Sequence, residues 1–311
     1  MDFLSKGTVL NGRYKIVNYV AKSDFSNIYL AESGEREKVI IKECYPLKIV
    51  MRNGKEVFTE KYRKDFERLK ECYLKEKCIL EKFLKKSSKL KKYKKRKQKL
   101  QSGIIKIIDF FSENGTDYIV TEYFCGITLK KYILENRLED EKRKKNEKIK
   151  VNHLLGIFFK IAKVVCQIHK EGIIHCDLKP SNVLIDIGRN IRIIDFGASL
   201  EKEKKIDFIK VSKGYSPIEI YSEKVQIDER TDIYSLAAIL YFMIFGKKVD
   251  GVLERFYKTE LEFNREVILG FEKVKQFEKM KEVIKRGLEF DREKRFENVG
   301  EMVEKLKEIF V

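Results

Sequence analysis

Ile174-His175-Cys176-Asp177-Leu178-Lys179-Pro180-Ser181-Asn182-Val183-Leu184, followed thirteen residues after Asn182 by Asp195-Phe196-Gly197, carries the densest polar signal in the chain. His175, Asp177, Lys179, Asn182 and Asp195 stand at fixed spacing between runs of β-branched residues. Taken singly, an aspartate or an asparagine in such a loop makes turn hydrogen bonds. Taken together, and with partners elsewhere in the chain, these five positions outweigh that reading.

The chain around them has 311 residues, 43% hydrophobic and 37% charged, with 21 Phe and 15 Tyr. That apolar content excludes a disordered chain, and the length excludes a disulfide-stapled miniprotein. Lysine and arginine number 67 against 49 acids, a net charge of +18. Residues 85–99 hold ten basic residues and no acid, and without them the balance is 57 against 49, or +8. The surplus is therefore largely local, and it reads either as a solvated lysine-rich insertion or as a patch that attracts an acidic partner. Nucleic-acid binding through this run would explain the charge but none of the fixed polar positions.

The six cysteines (44, 72, 78, 125, 166 and 176) include no pair at metal-knuckle spacing, and there are three histidines, so neither a zinc site nor a disulfide framework is expected. A reducing cytoplasm is the expected setting. The longest apolar run, 236–245, is ten residues, about half a bilayer span, and the first residues lack a signal-peptide core, so no membrane segment is expected.

Alternating β-branched, aromatic and polar residues predict antiparallel strands at 14–20, 27–32 and 39–43. A helix is predicted over about 65–84, with Leu69, Tyr73, Leu80 and Phe83 on one face, followed by two strands around an Asn114-Gly115 turn. Beyond Glu122 the spacing becomes helical, with Leu154, Ile157, Phe158, Ile161, Val165 and Ile168 on one stripe, and 232–245 and 273–310 also read as helical. The mixed-charge stretch 139–150 is expected to loop or to extend a surface helix. Glu76 falls on the inward face of the first helix, three residues after Tyr73 and four before Leu80, where an unpaired carboxylate is costly. Lys42, at the end of the third strand, is the expected partner.

The segment quoted first resembles the catalytic loop and metal-binding motif of eukaryotic-type Ser/Thr protein kinases. The likeness extends over nearly the whole chain. Val39-Ile40-Ile41-Lys42 resembles the strand carrying the phosphate-gripping lysine, Thr121-Glu122-Tyr123-Phe124 the gatekeeper and hinge, and Gly214-Tyr215-Ser216-Pro217-Ile218-Glu219 the end of the activation segment. Asp232-Ile233-Tyr234 looks like the start of the buried central helix, and Asp291 to Arg295 like the motif whose arginine pairs with Glu219. All three prolines (46, 180 and 217) fall in such motifs, and Ile41-Lys42-Glu43-Cys44-Tyr45-Pro46 points to bacterial members.

The resemblance implies an α+β, bilobal kinase domain over 1–311. A small antiparallel β lobe with one helix would span about 13–122, interrupted by the basic insertion, and a larger α-helical lobe 123–311. ATP would lie in the cleft, with Mg²⁺ and a protein substrate. Asp177 would orient the substrate hydroxyl or accept its proton, Lys179 would neutralise the γ-phosphate, and Asn182 and Asp195 would hold the metal. Lys42, paired to Glu76, would grip the α- and β-phosphates. The backbone of Glu122 and Phe124 would meet the adenine edge beside Thr121, with Leu184 beneath the ring, while Val20, Ile28 and Ile40 would line the pocket roof. His175 would be a scaffold residue. The spacing Asp177-Leu178-Lys179 resembles Ser/Thr rather than Tyr kinases.

Three departures bear on activity. The first hairpin places Ala21, Ser23 and Ser26 where the family has glycines, so nucleotide affinity should be weak rather than absent. Ile40 replaces a small alanine and tightens the roof. Cys176 replaces the arginine that docks a phosphorylated activation loop, and the segment 195–219 has Ser199, Ser212 and Ser216 but no Thr, so activity should not depend on phosphorylation there. Ser212 stands where the family threonine bonds the catalytic aspartate. The glycine-free loop keeps a second reading open, a catalytically silent pseudokinase serving as a binding scaffold. No histidine is placed to activate Cys176 as a nucleophile, His153 and His169 read as surface or packing residues, and the other cysteines as small core residues.

Overall fold

In the computed structural model the chain divides into two units, Met1–Cys125 and Gly126–Val311. The structure describes residues 2–91, 103–142, 151–202, 210–222, 225–257, 261–263 and 274–310, with side chains left aside at 86–91, 138–142, 274, 275 and 310. Most of the basic run 85–99 thus lies outside the described residues, as do 143–150 of the mixed-charge stretch.

The first unit is built on a six-stranded antiparallel sheet, β1 (Val9–Leu10), β2 (Tyr14–Lys22), β3 (Ser26–Glu32), β4 (Lys38–Cys44), β7 (Ile107–Glu113) and β8 (Thr116–Glu122), in the order β1-β2-β3-β4-β8-β7. The strands form because each alternates large apolar residues with polar ones, so that one face can be buried. The β7–β8 turn uses Asn114 (φ 51°) and Gly115 (φ 74°), the left-handed pair that suits the strand twist. A Cβ at Gly115 would collide with the Val57 carbonyl.

Register sorts the sheet residues onto two faces. Ile28 pairs with Lys42, Leu30 with Ile40, Ile40 with Thr121 and Lys42 with Ile119. Their neighbours Tyr29, Ala31, Val39, Ile41, Tyr118 and Val120 point the other way, into a core completed by Leu4, Leu10, Tyr14 and Ile16. The predicted helix is longer than its apolar stripe: α1 runs Arg63–Lys91, with Leu69, Tyr73, Leu80 and Phe83 buried.

A short hairpin between β4 and α1, β5 (Met51–Asn53) and β6 (Glu56–Phe58), was not expected from the sequence, since three-residue strands are too brief for periodicity to register. It is held by a buried charge. Glu43 is fully buried among Asn27, Tyr29, Tyr118 and Arg52, whose donors reach its carboxylate at 3.1, 2.7, 3.0 and 2.7 Å. Arg52 also lies 4.8 Å over the Tyr45 ring and donates to the Lys55 carbonyl, so the hairpin closes over the end of β4.

The second unit is mainly helical: α2 (Leu129–Lys142), α3 (Val151–Lys170), α4 (Glu229–Phe245), α5 (Val252–Tyr257), α6 (Val274–Gly287) and α7 (Val299–Phe310). The stretch 273–310 is two helices rather than one, because Asp291 caps a 3-10 turn at Arg292–Lys294 and turns the chain. By length and composition α3 could cross a bilayer, yet Leu154, Ile157, Phe158, Ile161 and Val165 are buried against α4, α7 and a short strand β10 (Ile173–Ile174). From Thr231 to Phe245 every residue of α4 is buried, which explains its lack of a polar face. Two further strands, β11 (Val183–Ile185) and β12 (Ile191–Ile193), pair antiparallel, and β11 also pairs with β9 (Ile127–Thr128).

Not all cysteines are core residues. Cys44 and Cys72 are buried, Cys166 is half-buried, and Cys78 and Cys125 are exposed, the former on the solvent side of α1 two residues beyond Glu76.

Breaking a buried ion pair costs about 3–5 kcal/mol, whereas replacing both partners is close to neutral. Arg52→Ala should therefore lower the urea unfolding free energy by about that amount, followed by tyrosine fluorescence, and Glu43→Gln/Arg52→Met should recover most of it. A loss below about 1 kcal/mol for Arg52→Ala would show that the cluster does not hold the hairpin.

Candidate active site

In the first unit Lys42 and Glu76 meet at 2.7 Å, both largely buried, and the Lys42 ammonium lies 5.0 Å from the Tyr73 ring centre. The pair joins β4 to α1 on the sheet face that also carries Ile28, Ile40 and Thr121, all partly exposed. Val20, Ala21 and Ser23 are exposed at the β2–β3 hairpin. Ser26 is not with them: it is buried, and its hydroxyl bonds the Tyr73 hydroxyl at 2.5 Å. Tyr73 in turn donates to the Glu43 carbonyl at 3.0 Å, so the hairpin base is tied to α1. Glu122 is half-buried and its N–H donates to the Lys106 carbonyl; Phe124 is half-buried as well.

In the second unit the polar loop is organised from below by Asp232 on α4. Its fully buried carboxylate accepts the N–H groups of His175 and Cys176 at 2.8 and 2.9 Å and the His169 ring at 2.8 Å. Burial alone would raise the Asp232 pKa; the hydrogen bond and charge of His169, with His175 nearby, bring it below the ordinary value, so the carboxylate stays ionised. These bonds hold Cys176 at φ 63°, a left-handed conformation costly for a side chain with a Cβ. His169, read above as a surface or packing residue, is thus a buried-network donor. The Cys176 thiol is pushed well above its usual pKa by burial and by the Asp232 and Asp177 charges, which makes it a poor nucleophile.

His175 is buried, packs its ring 4.8 Å from that of Phe196, and accepts the Asp177 N–H at Nδ1. Burial lowers its pKa, and it serves as a neutral strut. The Asp177 side chain, with no exposure, accepts both Lys179 contacts at 3.0 Å, Ser212 Oγ at 2.6 Å and Asn182 Nδ2 at 3.1 Å. Ser212 also receives Lys179 at 2.8 Å.

The twelve residues between Asn182 and Asp195 form a hairpin that closes the gap, because Val183 pairs with Ile193 and the Ile194 N–H donates to the Asn182 carbonyl. Asp195 follows in a left-handed turn, φ 65°. Leu184 is partly exposed on β11, opposite Thr128 and Arg192.

The donor set fits a hard divalent cation bound with a triphosphate. Asn182 commits its Nδ2 to the Asp177 carbonyl at 2.9 Å and to its carboxylate, which leaves the amide oxygen as the coordinating atom. Asp195 adds a carboxylate that already faces a cation, the Lys210 ammonium at 2.7 Å. Among the described residues no three His, Cys, Asp or Glu side chains cluster as a stand-alone metal site. That is expected where phosphate oxygens and water complete the shell. Lys210 has no distinguishing signal in the sequence, being one of five lysines between Asp195 and Glu219.

Farther along, Gly214 (φ 87°) has no room for a Cβ, which would meet the Val249 carbonyl. Glu219 is buried against Arg295, with paired contacts at 2.6 and 3.0 Å. Arg295 also donates to the carbonyls of Glu289, Phe290 and Arg230 and lies 5.2 Å from the Tyr234 ring centre.

The profile of the protein kinase domain family matches residues 70–306; the match begins inside α1, so Lys42 precedes it. A probable serine/threonine-protein kinase of Clostridium acetobutylicum is 30% identical over 223 residues, 67% of this chain and 31% of that protein. Serine/threonine-protein kinase PknD of Chlamydia caviae is 30% identical over 164 residues, covering 46% and 18% of the two chains. Serine/threonine-protein kinase ppk6 of Schizosaccharomyces pombe is 29% identical over 169 residues, covering 52% and 20%. The chain thus spans a third or less of the length of these curated relatives. With the family profile covering most of its length and the same polar positions assembled in the second unit, the chain belongs to the eukaryotic-type serine/threonine protein kinase family.

Proposed function

We propose that the chain transfers the γ-phosphate of ATP to a serine or threonine hydroxyl of a protein substrate. The observation that carries this is the Asp177 carboxylate, withdrawn from solvent and oriented by Lys179, Asn182 and Ser212 beside the cation-facing carboxylate of Asp195. The substrate hydroxyl gives its proton to Asp177 as its oxygen bonds the γ-phosphorus. The bond from that phosphorus to the bridging oxygen breaks, and ADP leaves. Lys179 offsets charge on the transferred group, Lys42 grips the inner phosphates, and Asn182 and Asp195 would hold Mg²⁺, which supplies charge neutralisation at the phosphates when bound. Glu76 sets the Lys42 ammonium in place.

A protein hydroxyl as acceptor agrees with the supported activation segment, pinned through Ser212, Gly214 and the Glu219–Arg295 pair. We place the chain in a reducing, cytoplasmic setting, in which its six cysteines stay as thiols. The basic run favours an acidic target. The pseudokinase reading keeps its own support in the glycine-free hairpin with Ser26 turned inward.

Transfer of labelled phosphate to the chain itself or to a generic basic protein decides between the two. General-base loss costs about 10²–10⁴-fold, so Asp177→Asn should lose at least about 100-fold in rate while keeping its melting temperature. Equal signals from wild type and Asp177→Asn would establish the scaffold reading. Calorimetric titration with Mg²⁺ and ATP should give a dissociation constant in the upper micromolar to millimolar range, weakened further by Lys42→Met; no heat at millimolar nucleotide would contradict the reading. Because Cys176 offers no cation to a phosphorylated loop, phosphatase treatment should leave the rate unchanged, and lost activity would overturn that expectation.

A further inference from the structure

Among the described lysines of the activation segment, Lys210 stands apart. Its ammonium lies 2.7 Å from Asp195 Oδ2 and 2.9 Å from Asp177 Oδ2, bridging the two carboxylates that the proposed reaction needs. A carboxylate offers about four lone-pair sites. Asp177 already receives Lys179 on both oxygens, Ser212 on Oδ1 and Asn182 on Oδ2. Lys210 adds a third donor to Oδ2, alongside Lys179 and Asn182, and holds Asp195 with the same ammonium. Asp195 likewise has an oxygen committed to the ammonium that a metal would have to take. Two aspartates and two lysines make the cluster neutral, so a divalent cation arriving beside Asp195 would meet a like charge within hydrogen-bonding distance of its ligand.

We propose that Lys210 is a built-in occupant of the divalent-cation position, and that the metal-nucleotide enters only as its ammonium withdraws. This rests on the kinase reading of the same site and adds a control to it. The backbone allows the exchange without dismantling the loop. Ser212, two residues on, is pinned independently, its N–H donating to Ser216 Oγ at 2.8 Å and its carbonyl accepting from Tyr215 and Ser216. Lys210 can therefore leave while Ser212 keeps its bond to Asp177. In a chain with Cys176 in place of a phosphate-docking arginine, competition between an internal and an external cation replaces phosphorylation as the switch.

The test uses the full chain and Mn²⁺ as probe, with protein-bound metal read by electron paramagnetic resonance in the presence of a non-hydrolysable ATP analogue. Lys210→Met, which keeps the length of the side chain and removes its charge, should bind Mn²⁺ about tenfold or more tighter than wild type, and Lys210→Arg should stay near wild type. Asp195→Asn should abolish binding in either background. Equal affinity in wild type and Lys210→Met, with Asp195→Asn still abolishing binding, would overturn the role of Lys210 and leave the metal site standing. Persistence of binding in Asp195→Asn would instead overturn the site assignment itself. A second readout covers a Lys210→Met chain that fails to fold. In wild type, acylation of Lys210 mapped by mass spectrometry should rise several-fold on adding Mg²⁺ with a non-hydrolysable ATP analogue, and unchanged labelling would contradict the proposal.

Discussion

The carboxylate of Asp232, sealed inside the second unit, accepts three hydrogen bonds and by them sets a left-handed residue at the head of the polar loop. A residue such as Cys176 does not take φ 63° unaided. Its neighbours must over-determine the conformation, and they do: Asp232 holds the two amides, Ser199 donates to the His175 carbonyl, and the His175 ring packs at a tilt against Phe196. From that turn Asp177 is aimed, and from the β11–β12 register Asn182 and Asp195 are brought beside it. Replacing the arginine usual at position 176 by cysteine leaves this scaffold intact, because the scaffold uses the backbone of that residue and not its side chain.

Buried charge recurs as the means of fixing geometry. Glu43 with Arg52, Lys42 with Glu76, Asp177 with its lysines and Glu219 with Arg295 are each withdrawn from water at one partner or both. Such pairs add little net stability over apolar packing, but they penalise every arrangement that separates them. Three of them join separate segments: a hairpin to a strand, a strand to a helix, and an activation segment to a turn before α7; Lys210 adds a fourth such link at Asp177. The result is a set of positions specified to within a hydrogen bond, as electrostatic catalysis of phosphoryl transfer demands.

Much of this was legible in the sequence, for identifiable reasons. Strand alternation exposed β2, β3 and β4, and Asn114-Gly115 marked the β7–β8 turn. Glu76 could be paired with Lys42 because a carboxylate on an apolar stripe needs a cation and the resemblance to the kinase strand placed a lysine at position 42. Four features escaped. The β5–β6 hairpin is too short for a period, and nothing in the spacing around its organising charge, Glu43, separates it from a solvated carboxylate. Ser26 was placed with the phosphate loop by alignment, whereas the hydroxyl of Tyr73 draws it inward. Lys210 and His169 depend on tertiary proximity alone, and neither spacing nor composition separates them from solvated neighbours.

The account as a whole turns on whether Asp195 and Asn182 share one cation. Anomalous diffraction from crystals carrying Mn²⁺ and a non-hydrolysable ATP analogue addresses this most directly. The predicted result is a single strong peak within about 2–2.3 Å of an Asp195 carboxylate oxygen and the Asn182 amide oxygen, with the analogue's phosphates completing the shell. A peak coordinated elsewhere, or none while the nucleotide is bound, would contradict it.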